Sequence, residues 1–275
     1  MLTLFSIPKP FVGRTVEVQL NALRSWVALG VEVQVVLLGD DAGIAEAAAN
    51  ASVDHVATLL CNEQGVPRLD SSFARVNGVA RYPIRCFVNA DIVLLDDFLP
   101  AVRRAAAAAI DGQFLMVGST VDLEGITPLD SAAPARLRAR ATAEGVARGA
   151  AAIDYFVFPA GLFDPMPHFT VGWAGFDNWM IWQARQRGPV IDATEAVVAI
   201  HQSHDYAHLE GGKAEAYAGE EAARNIDLAG GRGRMYTLHD ASHRMRADGS
   251  IVRNYGSILR SRETARKIAW KLGRR

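Results

Sequence analysis

The sequence predicts an α/β protein in which helices cover both faces of a mostly parallel sheet. The first hundred residues alternate short apolar segments with segments of helical periodicity, in the order strand, helix, strand, helix, strand. Strands that are apolar on both faces are typical of parallel sheets buried between helices. The chain has 275 residues, of which 50% are hydrophobic, so it can bury a large core without disulfides. Its two cysteines, Cys61 and Cys86, exclude a disulfide framework and a four-thiolate zinc site.

Each predicted element follows from a local pattern. The first strand stops at Pro8, and the first helix has apolar residues at helical spacing before Gly30 ends it. The next strand, 31–38, is rich in β-branched residues. In chain order the predicted strands are 2–7, 31–38, 53–60, 84–89, 114–119, 152–163 and 190–200, and the predicted helices are 15–29, 43–50, 98–110, 130–150 and 178–187.

The chain is expected to divide at about residue 208. Residues 1–208 form the regular α/β domain, and polar residues with glycine pairs dominate the predicted helical extension, 209–275. Ligands of parallel sheets bind at the carboxyl ends of the strands. The loops 7–14, 39–41 and 61–72, and the segment after the strand 84–89, are therefore the expected binding loops.

Charge is unevenly distributed along the chain. The net charge is −1, but residues 253–275 hold eight basic residues and one acid, so the remainder carries −8. An acidic body with a basic end does not suit a nucleic-acid partner. The tail could be an amphipathic helix on an anionic membrane or a solvated terminal helix. With no signal-peptide pattern and no long apolar stretch, the expected location is cytoplasmic, with peripheral membrane contact through the tail.

The first candidate for chemistry is Asn89-Ala90-Asp91, at the end of a buried strand. A carboxylate at that point must be solvated, paired or bound to a metal. Oxygen ligands suit Mg²⁺ or Mn²⁺, which bridge diphosphates. The alternative is that Asp91 caps the next turn.

A glycine-rich segment before a helix is the second candidate. Gly172, Trp173 and Gly175 precede Asp177, and the glycines would permit close approach of the backbone to a ligand. Asp177 is either a helix cap or a general base that faces a ligand cleft.

The third candidate is a histidine cluster after a strand. Three of the seven histidines, His201, His204 and His208, lie within eight residues, and imidazole is a common metal ligand. A polar, hydrogen-bonded loop is the alternative. Lys9 and Arg75 are weaker candidates for neutralising phosphate, since either could be a plain surface charge.

Together these segments resemble the GT-A-fold glycosyltransferases, which transfer a sugar from a nucleotide-activated donor. Asn89-Ala90-Asp91 corresponds to the metal-binding Asp-x-Asp motif of that fold, and the stretch from Phe73 to Gly78 resembles the family-2 lead-in to that motif. The glycine loop, the acid at a helix start and the late histidine follow in the expected order. The resemblance covers about residues 1–208, and it also extends to an uncharacterised bacterial and plant subgroup.

The resemblance implies a GT-A-type catalytic domain that uses Mn²⁺ or Mg²⁺ and transfers sugar with inversion, while a retaining route, which needs no base, stays open on the sequence alone. It implies that Asp177 is the base and that Asp91 and His201, or His204, bind the metal. The implied donor-binding residues are Ile7, Pro8, Lys9, Asp40, Arg75, Asn77, Asn89, Ala90, Asp91, Gly172, Trp173 and Gly175. The implied partners are a nucleotide-diphosphate sugar and an acceptor that is a glycan or a lipid-linked molecule.

The chain departs from the family pattern at Asn89, which stands where the first acid of Asp-x-Asp is expected. Asparagine adds no charge, so any metal site depends on Asp91, the histidine and the donor phosphates. Two other functions stay open on the sequence alone. A metal-dependent phosphohydrolase could be centred on His201–His208, or the chain could bind a nucleotide sugar without catalysis.

Overall fold

The computed structural model describes residues 1–126, 128–129, 133–202 and 217–260. Three predicted features lie outside these residues: the histidines His204 and His208, and the part of the basic tail beyond residue 260. The strands are β1 Leu2–Ser6, β2 Val33–Leu38, β3 Asp54–Val56, β4 Ile84–Val88, β5 Ile92–Leu94, β6 Leu115–Ser119, β7 Val121–Leu123, β8 Val146–Ala147, β9 Ile153–Pro159, β10 Val190–Asp192, β11 Ala199–Gln202, β12 His243–Met245 and β13 Ile251–Arg253. The helices are α1 Thr15–Ala28, α2 Ile44–Ala51, α3 Leu69–Val79, α4 Phe98–Ala107, α5 Ala133–Glu144, α6 Phe176–Arg187, α7 Glu220–Leu228 and α8 Tyr255–Arg260.

A nine-stranded sheet forms the centre of the molecule, in the order β13-β12-β10-β6-β9-β4-β1-β2-β3. Strands β3, β2, β1 and β4 are mutually parallel, and so are β6, β10 and β12. Strand β9 lies between the two groups and is antiparallel to both β4 and β6. The predicted fold class, a mostly parallel sheet flanked by helices, is confirmed by this topology. Because β4 and β6 are both antiparallel to β9, their carboxyl ends share one edge of the sheet.

Both faces of the large sheet are buried. Helices α1, α2 and α4 cover one face, where Leu4, Trp26 and Phe98 are among the buried residues. Helices α3 and α6 cover the other face with an aromatic cluster that includes Phe73 and Trp179. Alternate residues of the same strands belong to the two cores, as the sequence of fully apolar strands requires.

A second, four-stranded sheet in the order β5-β11-β7-β8 lies beside the first. Helix α5 packs on it through Leu137 and Ala141, and Leu123 and Ile200 are buried beneath that helix. The three residues Asn89-Ala90-Asp91 connect β4 of the large sheet to β5 of the small one. This connection therefore lies where the two sheets meet.

Several predicted boundaries were wrong. The predicted strand 190–200 is two strands in different sheets, because Asp192 accepts a hydrogen bond from the Thr194 amide and begins a turn. The predicted strand 53–60 shortens to β3, since Leu60 leaves the sheet and is 57% exposed. The binding loop expected at 61–72 gives way to helix α3 at Leu69.

The segment beyond residue 208 supplies two strands to the large sheet. Strand β12 pairs with β10 in parallel, and β13 returns antiparallel to it. The part of the expected extension that the structure describes is thus continuous with the main sheet. Among the described residues, no helix combines the length and the apolar character needed to cross a bilayer.

Candidate functional site

Hydrogen bonds to its backbone carbonyl hold Asp91 at the junction of the two sheets. Its carbonyl oxygen accepts hydrogen bonds from the backbone amide of Gln202 at 3.3 Å and from the side-chain Nε2 of Gln202 at 3.1 Å. Gln202 is 3% exposed, and its side chain also contacts Asn21 and the Val18 carbonyl. The end of strand β11 thereby fixes the position of the Asp91 side chain.

His201, one residue earlier on β11, faces Asp91. The Nε2 atom of His201 lies 3.4 Å from Oδ2 of Asp91, and Nδ1 lies 2.7 Å from Oδ1 of Asp122 on β7. Burial lowers the pKa of His201, but the hydrogen bond and charge of Asp91 outweigh that effect and raise it. The sequence predicted both Asp91 and His201 as metal ligands, and the fold brings them together.

Lys9, in the loop after β1, belongs to the same edge. Its backbone amide donates to Oε1 of Gln19 at 2.7 Å, and its carbonyl accepts from Nε2 of Gln19 at 2.9 Å. Desolvation lowers the pKa of the Lys9 ammonium, while the nearby charge of Asp91 raises it. This lysine can therefore present a positive charge to an anionic ligand beside Asp91.

A buried carboxylate that sequence reasoning missed lies behind Asp91. Asp154 on β9 is 7% exposed and accepts hydrogen bonds from Asn89 at 3.0 Å, Thr120 at 2.8 Å and Arg148 at 2.6 Å. Desolvation raises its pKa, the charge of Arg148 lowers it, and Asp91 raises it again. Asn89 thus uses its amide nitrogen to support Asp154, a contact that an aspartate could not make without protonation.

The signal for Asp154 was present in the sequence. It interrupts the apolar strand Ile153–Pro159, just as Asp91 follows an apolar strand. Arg148 extends the group, since its Nε lies 3.5 Å from Asp122. No local sequence pattern indicated that Asp122 and Arg148 would join this group. They come close to His201 only because β7 pairs with β8 and with β11.

Asp177 lies in the first turn of helix α6, as predicted. Its Oδ1 accepts a hydrogen bond from the Gly175 amide at 3.2 Å. Desolvation raises the pKa of Asp177 to about 6, the neighbouring backbone amides of Asn178 and Gly175 lower it, and the charge of Asp154 raises it. A carboxylate with this pKa is suited to accept a proton near neutral pH.

The glycine loop before α6 is fixed by helix α7. Asn225 is fully buried, and its side chain bonds to both backbone groups of Thr170 at 3.0 Å and to the Trp173 carbonyl at 3.3 Å. Gly175 has φ +119°, and a Cβ there would lie 3.2 Å from Cβ of Asn225. The glycine loop was expected to let a ligand approach its backbone closely. At Gly175, helix α7 makes that close approach instead.

The residues at Asp91 and His201 fit a divalent cation. A carboxylate oxygen and an imidazole nitrogen that face each other are both ligands that Mn²⁺ accepts. Metal-binding histidines commonly donate the other ring N–H to a carboxylate, which is the contact made here to Asp122. Within the described ranges no group of three or more metal-binding side chains exists, so a cation there would need further oxygens from a ligand.

The remaining predicted binding residues divide into two groups. Ile7, Pro8 and Asp40 follow β1 and β2 at the same carboxyl edge as Asp91. Arg75 and Asn77 are exposed near the carboxyl end of α3, a helix that leads to the start of β4 and hence to the opposite edge. In the described part of the chain, neither has a hydrogen bond or ion pair with the Asp91 and His201 group.

No family model matches this sequence, and a search of curated proteins found no match. Several solved structures are similar to it at low identity. S. aureus TarS, as a fragment of residues 1–349, has 13% identity and a TM-score of 0.47 over 74% of this chain and 60% of its own, and it has also been solved with UDP-GlcNAc. The chain therefore spans about 60% of that TarS fragment.

Two further structures are similar. Mannosyltransferase PcManGT from Pyrobaculum calidifontis, in complex with GDP-Man and Mn²⁺, has 12% identity and a TM-score of 0.43 over 72% of this chain and 56% of its own. Glucosyl-3-phosphoglycerate synthase from Mycobacterium tuberculosis, in complex with Mn²⁺ and UDP, has 12% identity and a TM-score of 0.46 over 85% and 80%. These neighbours are GT-A-type glycosyltransferases. At 12–13% identity and with TM-scores below 0.5, the likeness assigns neither a family nor an activity to this chain.

Proposed function

We propose that this protein transfers a sugar from a nucleotide-diphosphate donor to an acceptor hydroxyl, with inversion at the anomeric carbon. The observation that supports the proposal most strongly is the convergence of Asp91, His201 and Lys9 at the carboxyl edge of the sheet. The charge of Asp154, beside them, contributes to the raised pKa of Asp177. A cation-binding carboxylate, a positive side chain and a separate base are the groups that this reaction needs.

The donor side of the site would be formed by the loops after β1 and β2. Lys9 would contact the diphosphate, and the loops that carry Pro8 and Asp40 would bind the base and ribose. Asp91 and His201 would hold Mn²⁺ or Mg²⁺ against the phosphate oxygens. A cation bound there supplies positive charge that stabilises the departing nucleoside diphosphate.

The acceptor side would be served by Asp177. Its carboxylate takes the proton of the acceptor hydroxyl while that oxygen forms a bond to the anomeric carbon. The bond from the anomeric carbon to the diphosphate breaks, and its electron pair leaves with the nucleotide. The network of Asn89, Thr120 and Arg148 around Asp154 keeps a second carboxylate in place behind the reaction centre.

The proposal is tested by the release of nucleoside diphosphate from UDP-, GDP-, dTDP- and ADP-sugars, measured with Mn²⁺ and a mixed set of sugar acceptors. We expect one donor class to react, and Asp177→Asn to lose transfer by about 10²–10⁴-fold while diphosphate affinity is kept. Asp164→Asn, an exposed carboxylate in the preceding loop, serves as the control and should react normally. Unchanged transfer by Asp177→Asn would contradict the assignment of the base.

A further inference from the structure

A second pocket opens on the same edge of the sheet, on the far side of Asp154. It has a volume of about 240 Å³ and lies at the carboxyl ends of β6 and β10, beside β12. These strands run parallel to one another, so their loops converge there. Seven polar residues define its chemistry: Ser119, Arg148, Asp192, Thr194, Glu195, His239 and Arg244.

The charges in this pocket are balanced. Asp192 and Glu195 face the same space as Arg148 and Arg244, and Ser119 and Thr194 add hydroxyl groups. A site for a phosphate or carboxylate would have an excess of positive charge. Paired acceptors and donors suit instead a neutral ligand with several hydroxyl groups, each of which donates one hydrogen bond and accepts others.

The wall of the pocket is ordered before any ligand arrives. Oδ1 of Asp192 accepts hydrogen bonds from the backbone amide of Thr194 at 3.0 Å and from its hydroxyl at 2.5 Å. The hydroxyl oxygen of Thr194 accepts in turn from the Ser119 amide at 2.9 Å. A wall that is already fixed loses little entropy on binding.

The size of the pocket favours a ligand smaller than the donor. Pockets for drug-sized molecules measure roughly 300–1,000 Å³, and a nucleotide sugar belongs in that range. The volume of about 240 Å³ suits a single sugar ring or a short polyol.

Arg148 connects the pocket to the reaction centre. Its guanidinium lines the pocket and also lies 2.6 Å from Oδ2 of Asp154. Asp154 in turn raises the pKa of Asp177, the proposed base. Arg148 is therefore shared between the pocket and the buried carboxylate behind Asp91.

We propose that this pocket is the acceptor subsite and that the acceptor group it binds is an uncharged sugar or polyol. This inference rests on the proposed transferase function. It assigns Glu195 and Arg244, which are exposed and on separate segments, to acceptor recognition rather than to catalysis.

The test is saturation-transfer NMR with methyl glucoside, methyl galactoside, methyl mannoside and N-acetylglucosamine, compared with glucose 6-phosphate. We expect at least one neutral sugar to bind and the Glu195→Gln, Arg244→Gln double variant to weaken it by at least tenfold. The matched control, Glu63→Gln with Arg246→Gln, changes the same residue types at exposed positions outside the pocket. It should bind the sugar as the wild type does.

Titration with nucleoside diphosphates separates this proposal from the proposed function. The pocket variants should bind the diphosphate normally, since their residues do not contact the donor side. Preferential binding of glucose 6-phosphate, absence of any neutral-sugar binding, or sugar binding that the double variant leaves intact would each overturn the acceptor pocket. If the wild type binds no nucleoside diphosphate, the proposed transferase function is overturned, whether or not a sugar binds in the pocket.

Discussion

At the scale of single residues, Asp177 is the group whose chemistry can be followed most simply. Desolvation raises its pKa from 3.8 to about 6, and a base acts only when it is deprotonated. Transfer should therefore increase with pH up to about 6 and level off above it, when kcat/KM is measured from pH 4.5 to 8. A profile that is flat between pH 5 and 7 would contradict the role of Asp177.

The same pKa shift predicts a stability effect. A carboxyl with a raised folded-state pKa favours the folded protein fully below pH 3.8, and this contribution is lost as the pH rises through about 6. Asp177→Asn removes the buried charge but keeps an acceptor for the Gly175 amide. We expect this variant to be more stable than the wild type by about 1–3 kcal/mol at pH 8 and equal to it near pH 4.

Urea unfolding at both pH values measures this difference. Asp164→Asn is again the control, because that side chain is exposed and the substitution removes no buried charge. A variant that is less stable than the wild type at pH 8 would show that the Asp177 charge is stabilising in the folded state.

The candidate site could be predicted at residues whose context was visible in the sequence. Asp91, Asp177 and His201 each stand at the boundary of a strand or helix, where a polar residue is conspicuous. Asp122 and Arg148 became part of the site only through the pairing of short strands, of which β7 and β8 were not predicted. Donor binding by Asn89 stays a prediction, and the contact of its amide nitrogen with Asp154 was not foreseen.

At the scale of elements, the loop that presents Asp177 depends on its packing against α7. Gly172 and Gly175 both have positive φ, +89° and +119°, but a Cβ would meet open space at Gly172 and the backbone and Cβ of α7 at Gly175. Gly172→Ala should cost about 1 kcal/mol of stability from backbone strain alone. Gly175→Ala should cost a further 1–3 kcal/mol, roughly, because the helix must move.

This pair of variants is compared by urea unfolding at one pH, with each glycine serving as the control for the other. Equal losses of stability would mean that the loop is not held by contact with α7. If Gly175→Ala also shifts α6, transfer activity should fall in that variant because Asp177 would be displaced.

Elements with a strong local pattern were predicted well. Helix α1 was expected at 15–29 and spans Thr15–Ala28, since its apolar spacing and Gly30 define both ends. Helix α3 was missed, although Leu69, Phe73 and Val76 are buried at helical spacing. The glycine and asparagine residues around 61–66 obscured the start of that helix, and its apolar face is narrow.

At the scale of the whole molecule, the arrangement of the strands explains why distant residues meet. Insertion of β9 between β4 and β6 brings Asp154 beside Asn89, 65 residues away in sequence. The α/β class and the parallel first half could be predicted from local patterns. Fully apolar strands that alternate with helical segments indicate a sheet that is buried on both of its faces. The antiparallel β9 and the return of β12 to the sheet depend on long-range pairing, for which a single sequence gives no local signal.

The central claim is that Asp91 joins a divalent cation to a nucleoside diphosphate. It is tested most directly by calorimetric titration of UDP, GDP, dTDP and ADP, each with and without Mn²⁺, into the wild type and Asp91→Asn. Asp111→Asn is the matched control, because Asp111 is exposed and asparagine tolerates its positive φ. We expect one diphosphate to bind the wild type and the control only with Mn²⁺, and Asp91→Asn to lose that binding. Equal, cation-independent binding by all three proteins would contradict the claim.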